Sequence, residues 1–111
     1  MEIKLLKKED AVLRKISDSY SVFNFLTAND SERFSIAIGD ALDHDETTKT
    51  MSDRSYFVLE GEIIVNGKLR GGPADIIFFI PENTEYSFKG SFKAIIINSP
   101  PFKKAAEDKA S

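Results

Sequence analysis

The chain has 111 residues, of which 41% are hydrophobic and 30% charged, with a formal net charge of -3; this fits one domain built around one core. It has no cysteine, which excludes disulfides, a thiolate nucleophile and cysteine-held zinc or iron–sulfur centres. Lys and Arg are interspersed with acids rather than gathered into a patch, and no apolar run approaches the roughly 20 residues of a membrane span, so neither a nucleic acid nor a membrane is expected as a partner.

At the N-terminus, Glu2 and Lys4 bring charge before a signal-peptide core could form, so a cytoplasmic location is expected. From about Tyr20 the chain reads as short strands separated by turn signals, the pattern of a sandwich or barrel, with little helical periodicity. Tyr20 to Ala28 carries Val22, Phe23, Phe25 and Leu26 and ends in the turn residues Asn29-Asp30-Ser31. Phe34, Ile36 and Ile38 then alternate with Ser35, Ala37 and Gly39, which gives one face to bury. Asp43-His44-Asp45-Glu46 reads as a solvated loop, and the threonines of Thr47 to Met51 permit a strand.

Ser55 to Leu59 is predicted as a strand closed by Glu60-Gly61-Glu62. Ile63-Ile64-Val65 runs into Asn66-Gly67, the dipeptide most favoured in a type I′ hairpin turn. Gly71-Gly72-Pro73 breaks the chain before Ile76 to Ile80, which Pro81 ends. Tyr86 to Lys89 and Phe92 to Asn98 are the last two strands, and Pro100-Pro101 stops the sheet. Lys103 to Ser111 is a charge-balanced tail, expected as a loose helix or a frayed end. The barrel core is thus expected over about 20–102 of a single domain spanning 1–111, with no internal repeat or linker.

Ile76 to Ile80 and Ile95 to Ile97 are apolar without alternation, whereas an antiparallel strand with one wet face should alternate. Both of their faces therefore call for cover. A homodimer that buries part of these segments is expected; the alternative is that Ile3 to Leu6 and Val12 to Ile16 fold back over them.

Two stretches carry a resemblance. Tyr56 to Gly67 resembles the end of the first cupin motif and its hairpin, and Asp75 to Tyr86 resembles the second motif. In that order and at that separation they identify the chain as similar to the single-domain cupins over roughly Phe34 to Phe102. The resemblance implies an all-β double-stranded β-helix, or jelly-roll, barrel with a short polar C-terminal tail.

The first motif of the family, G-x5-H-x-H-x3,4-E-x6-G, sets its last glycine on Gly61. Its glutamate then falls on Arg54 and its histidines on Thr48 and Thr50, or on Thr47 and Lys49 at the longer spacing. The second motif, G-x5-P-x-G-x2-H-x3-N, sets Pro81 correctly but puts Asp75 and Asn83 at its glycines and Tyr86 at its histidine. Metal-dependent cupins hold iron, manganese, nickel or zinc through neutral imidazoles and a carboxylate. Hydroxyls, a phenol and a guanidinium do not replace these, so no metal and no cofactor are expected.

The same topology points Thr48, Thr50, Arg54, Tyr56 and Tyr86 into the barrel. Arg54 and Tyr86 suit a carboxylate, a phosphate or sugar hydroxyls, and Tyr56 supplies an aromatic wall. The plainer account is that these side chains fill the former metal cavity and that Arg54 pairs with Glu60, Glu62 or Glu85. His44, the only histidine, and its acidic neighbours could act as a base or hold a weak cation, but a solvated loop explains them as well. Glu60 and Glu62 share a face beside Gly61 and read as wet acids rather than an acid–base pair.

The expected function is thus a metal-independent cupin-like protein that binds a small polar or anionic molecule, such as a sugar derivative or an organic acid. The alternatives are a metal-free isomerase or epimerase of carbohydrate metabolism, with Tyr86 as acid or base and Arg54 beside it, and an interaction module whose barrel is filled.

Overall fold

The computed structural model describes residues 3–73 and 77–103. Among these, a short 3-10 turn (Lys8–Asp10) precedes seven strands: β1 (Val12–Ser17), β2 (Tyr20–Leu26), β3 (Ser35–Lys49), β4 (Asp53–Val65), β5 (Leu69–Gly71), β6 (Ile77–Ile80) and β7 (Glu85–Ser99). All pair antiparallel, in the order β1-β2-β3-β7-β4-β5, and β6 also pairs with β4. No helix of the described residues is long and apolar enough to cross a membrane.

Three strands are much longer than expected, and glycines explain two of them. β4 runs straight through Glu60-Gly61-Glu62, predicted to close a strand, because Gly61 adopts φ 77° beside a bulge at Leu59. A Cβ there would stand 2.1 Å from the Ser91 carbonyl oxygen, so only glycine keeps β4 and β7 paired. Gly90 plays the matching part in β7, at φ 133° with Glu62 O 2.3 Å from a would-be Cβ. It joins Tyr86–Lys89 and Phe92–Asn98, predicted as two strands, into one.

β3 contains the stretch predicted as a loop. A bulge between Ala41 and His44, with Asp43 at φ 48°, shifts the register so that His44, Glu46, Thr48 and Thr50 follow one another on the inner face. His44 is only 6% exposed. Charge density misled here because the acids alternate: Asp43 and Asp45 face solvent and Glu46 faces in.

The Asn66-Gly67 hairpin forms as predicted, with φ 52° and 69°, and Lys68 N–H donates to Val65 C=O at 3.2 Å. Asn83, at a glycine position of the second motif, takes φ 62°, which asparagine tolerates better than most residues.

The core lies on the inner faces of β3, β4 and β7, where Val58, Ile63, Val65, Phe88, Phe92, Ala94 and Ile96 are buried. Tyr20 closes it from β2. Its ring lies over Gly39, where a Cβ would meet Tyr20 Oη at 2.7 Å and Ile96 Cδ1 at 2.9 Å.

The N-terminal apolar segment does not cover the outer face. Val12–Ser17 becomes an edge strand on β2, while Ile77 and Phe79 stay 63% and 60% exposed as Phe78 and Ile80 point inward. Asp75 and Ile76, and the tail beyond Lys103, lie outside the described residues.

Candidate functional site

The β4–β7 register sets Arg54 opposite Asn98 and Tyr56 opposite Ile96, and the β3–β7 register sets Thr48 opposite Tyr86. All face inward, so the polar residues of three strands converge. Arg54 Nε donates to Asn98 Oδ1 at 2.6 Å and Nη1 donates to Tyr86 Oη at 3.0 Å, and the Tyr86 and Tyr56 hydroxyls are hydrogen-bonded to each other. The guanidinium is thereby held in one orientation although Arg54 is only 6% exposed. Burial pushes the Tyr56 phenol well above its usual range, with Tyr86 adding to it; burial raises Tyr86 too, against the opposing charge of Arg54. Both phenols are therefore neutral at physiological pH and serve as hydrogen-bonding groups.

A cavity of about 270 Å3 opens beside this network, between β1 and β2 on one side and β3, β4 and β7 on the other. Thr48, Arg54 and Tyr56, three of the residues predicted to bind a ligand, line it. Tyr86 lies against them, in contact with Arg54 and Tyr56 but behind the wall. Thr50 stands apart. Fully buried, its hydroxyl donates to Ser52 C=O at 2.7 Å and accepts from Ser52 N–H at 3.1 Å, fastening the turn between β3 and β4.

Arg14, Tyr20 and Phe102 of the wall were not singled out in the sequence, and Glu46 was weighed there only as an acid beside His44 in a solvated loop. Glu46 Oε1 accepts from His44 Nε2–H across 2.8 Å, and His44 Nδ1 is 2.7 Å from Ser19 Oγ. The imidazole stacks on Tyr20 with ring centroids 4.7 Å apart. The arginines share Phe102, whose ring centre lies 5.1 Å from the Arg14 guanidinium and 5.8 Å from that of Arg54. Phe102 is pinned by its own N–H, which donates to Ser35 Oγ at 2.9 Å. Arg14, on the same strand face as Val12 and Ile16, is the one sequence signal that would have pointed here.

Of the acids weighed as partners of Arg54, Glu60 lies 3.8 Å from Lys93 and Glu62 lies 3.1 Å from Arg70, both at the surface. The positions that hold a metal in metal-dependent cupins do not fit one here. Arg54 brings a permanent cation, the Thr50 hydroxyl is engaged by Ser52, and the Tyr86 phenol keeps its proton. Among the described residues no three His, Asp or Glu side chains gather as a ligand set.

No family model and no curated protein matches the sequence. Solved structures do match. The chain is similar to the polyketide cyclase RemF from Streptomyces resistomycificus, with a TM-score of 0.74 and 13% identity over 88% of this chain and 80% of that one. It is similar to Pac13, a nucleoside dehydratase, with a TM-score of 0.74 and 14% identity over 94% and 88%; variants of the Streptomyces protein have been solved with uridine. It is also similar to KdgF from Halomonas sp., with a TM-score of 0.71 and 13% identity over 94% and 99%. At these identities the likeness shows the fold, a cupin-type β-barrel.

Proposed function

We propose that the barrel binds a small polar or anionic molecule, a sugar derivative or an organic acid, without a metal, through Arg54, Tyr56 and Thr48 with Tyr86 behind them. The observation that carries this reading is Arg54 itself, a nearly buried guanidinium held by Asn98 and Tyr86 in the wall of an open cavity. A fixed cation at the edge of a low-dielectric space recognises oxyanions and hydroxyls better than the same group in water. The volume, about 270 Å3, lies near the lower end of ligand pockets, roughly 300 Å3, and so favours a molecule of monosaccharide size. A neighbour of the same fold that has been solved with uridine supports a polar ligand in such a barrel.

A metal-free isomerase or epimerase is the second reading. What favours it is Glu46, a carboxylate in the wall and anchored by His44; Tyr86, the expected acid or base, sits behind the wall with its proton held tightly. The cavity that the described residues leave beside Thr48, Arg54 and Tyr56 favours a ligand over the filled-barrel interaction module, although Tyr86 fills its own part of that space.

The reading also includes a homodimer. By register, Phe23, Ile38, Ile95, Phe57 and Ile77 stand side by side across β2, β3, β7, β4 and β6, an apolar row on the outer face. Contiguous apolar surface of this kind usually marks an association site.

A thermal-shift and titration screen of sugars, nucleosides and organic acids tests the reading, with elemental analysis of the same sample. Binding that Arg54→Lys weakens supports it. A stoichiometric transition metal that survives dialysis, or a screen with no ligand at millimolar concentration, overturns it.

A further inference from the structure

We infer that the ligand carries an oxyanion together with a hydrogen-bond-donating group, as a small hydroxy acid or amino acid does, and that Arg14 and Glu46 recognise these two ends. The inference rests on the barrel being a small-molecule site, and it narrows the class of molecule.

Arg14 reaches the cavity from the edge strand β1. Its guanidinium lies over the Phe102 ring and makes no hydrogen bond or ion pair with another described residue. A guanidinium packed on an aromatic face keeps the N–H edges of its fork available, and those edges match a carboxylate or phosphate. Arg54 adds a second positive charge to the same wall, against the same ring.

Glu46 presents the opposite chemistry. His44 engages Oε1, and His44 is itself fixed by Ser19 and by its stack on Tyr20. Oε2 makes no hydrogen bond to a described residue. An ionised carboxylate only accepts, so this oxygen calls for a hydroxyl or ammonium on the ligand. Tyr20 lines the same cavity: burial raises its phenol most, Tyr86 and Glu46 raise it further, and Arg54 and Arg14 lower it.

The two ends together discriminate. A neutral polyol would serve Glu46 and leave Arg14 unmatched, and a simple fatty acid would do the reverse. Both losses count, since a hydrogen bond to a charged group is the stronger kind.

Three six-carbon probes separate these cases by calorimetric titration at pH 7: gluconate, sorbitol and hexanoate. Gluconate is expected to bind at least about tenfold more tightly than either of the others, a difference of about 1.4 kcal/mol. Arg14→Gln should reduce the preference for gluconate over sorbitol, and Glu46→Gln the preference for gluconate over hexanoate. Both replacements keep a hydrogen-bonding amide in place, and neither touches the Arg54 network. Sorbitol binding as tightly as gluconate would overturn the inference and leave the small-polar-ligand reading intact. Hexanoate binding equally well, no binding of gluconate, or gluconate affinity unchanged in both variants also overturns it. The broader screen, read through Arg54→Lys, reports separately on whether the barrel binds polar molecules at all.

Discussion

Arg54 and Asn98 face each other across the β4–β7 ladder, and their side chains meet at 2.6 Å with Arg54 Nε donating. The pair fixes the plane of the guanidinium, and Tyr86 fixes its rotation through Nη1. Arg54→Ala should weaken an anionic ligand by about 1.5–3 kcal/mol, the scale of a hydrogen bond to a charged group. It should also lower the stability of the free protein by about 1–3 kcal/mol, because the buried Asn98 and Tyr86 each lose a donor. Chemical denaturation beside the titration separates the two effects, and an unchanged denaturation midpoint would contradict the network.

Tyr86→Phe is the gentler probe. It removes the hydroxyl that accepts from Arg54 Nη1 and pairs with Tyr56, so the guanidinium is held less firmly and binding should weaken by about 0.5–1.5 kcal/mol, while the ring stays packed on Phe88. The Tyr56 hydroxyl, fully buried, then lacks its partner, so a similar loss of stability is expected. Titration of wild type and variant with one ligand, with melting curves for each, checks both.

All three tyrosines, Tyr20, Tyr56 and Tyr86, are buried and their phenols are raised, chiefly by burial. In the unfolded chain they ionise near pH ~10. Above that pH the unfolded state releases protons that the folded state retains, so stability is intact below pH ~10 and falls as the pH rises further. Absorbance at 295 nm should therefore show less tyrosinate in the folded protein than in the unfolded chain at pH 11, with the remainder appearing as the circular dichroism signal is lost. Titration of all three tyrosines at the unfolded value while the dichroism is still native would contradict the packing.

Gly39→Ala should cost about 1–3 kcal/mol, the range for overpacking a core. The added methyl meets the Tyr20 hydroxyl at 2.7 Å and Ile96 at 2.9 Å, so the Tyr20 ring must move and the cavity wall with it. Thermal melting measures the cost. The expected companion is a change in the tyrosine near-ultraviolet dichroism, which a loss without rearrangement would not produce.

Phe79→Lys and Ile77→Lys place charge on the outer face, at side chains already more than half exposed. If that face joins two copies, each substitution should yield a monomer at micromolar concentration with the melting temperature of the dissociated chain. Sedimentation decides; a wild-type protein that is already monomeric would remove the dimer from the account.

The barrel was legible because its punctuation is chemical. Gly61, Asn66-Gly67 and the Asn83 position all adopt the left-handed backbone that their residue types permit, and these spacings carried the family resemblance. The lengths of β3, β4 and β7 were not legible, because bulges let a strand continue through residues that elsewhere end one. The site was half visible: Thr48, Arg54 and Tyr56 follow from strand alternation within the motifs. Arg14 and Phe102 come from opposite ends of the chain, and Glu46 from a stretch whose charge imitates a loop. Only tertiary pairing brings them to one wall.

The edge position of β1 has a dynamic consequence. Among the described residues this strand pairs with β2 alone, so detaching it breaks a single ladder and only the packing of Ile16 against the core, which places it toward the low end of local opening free energies. Yet it carries Arg14 into the cavity wall. If this strand opens, it would admit a ligand from that side of the pocket, and a ligand gripped by Arg14 would hold it closed. Amide hydrogen exchange along Val12–Ser17 should thus be fast in the free protein and slow in proportion to occupancy, while the amides of β7 record no difference.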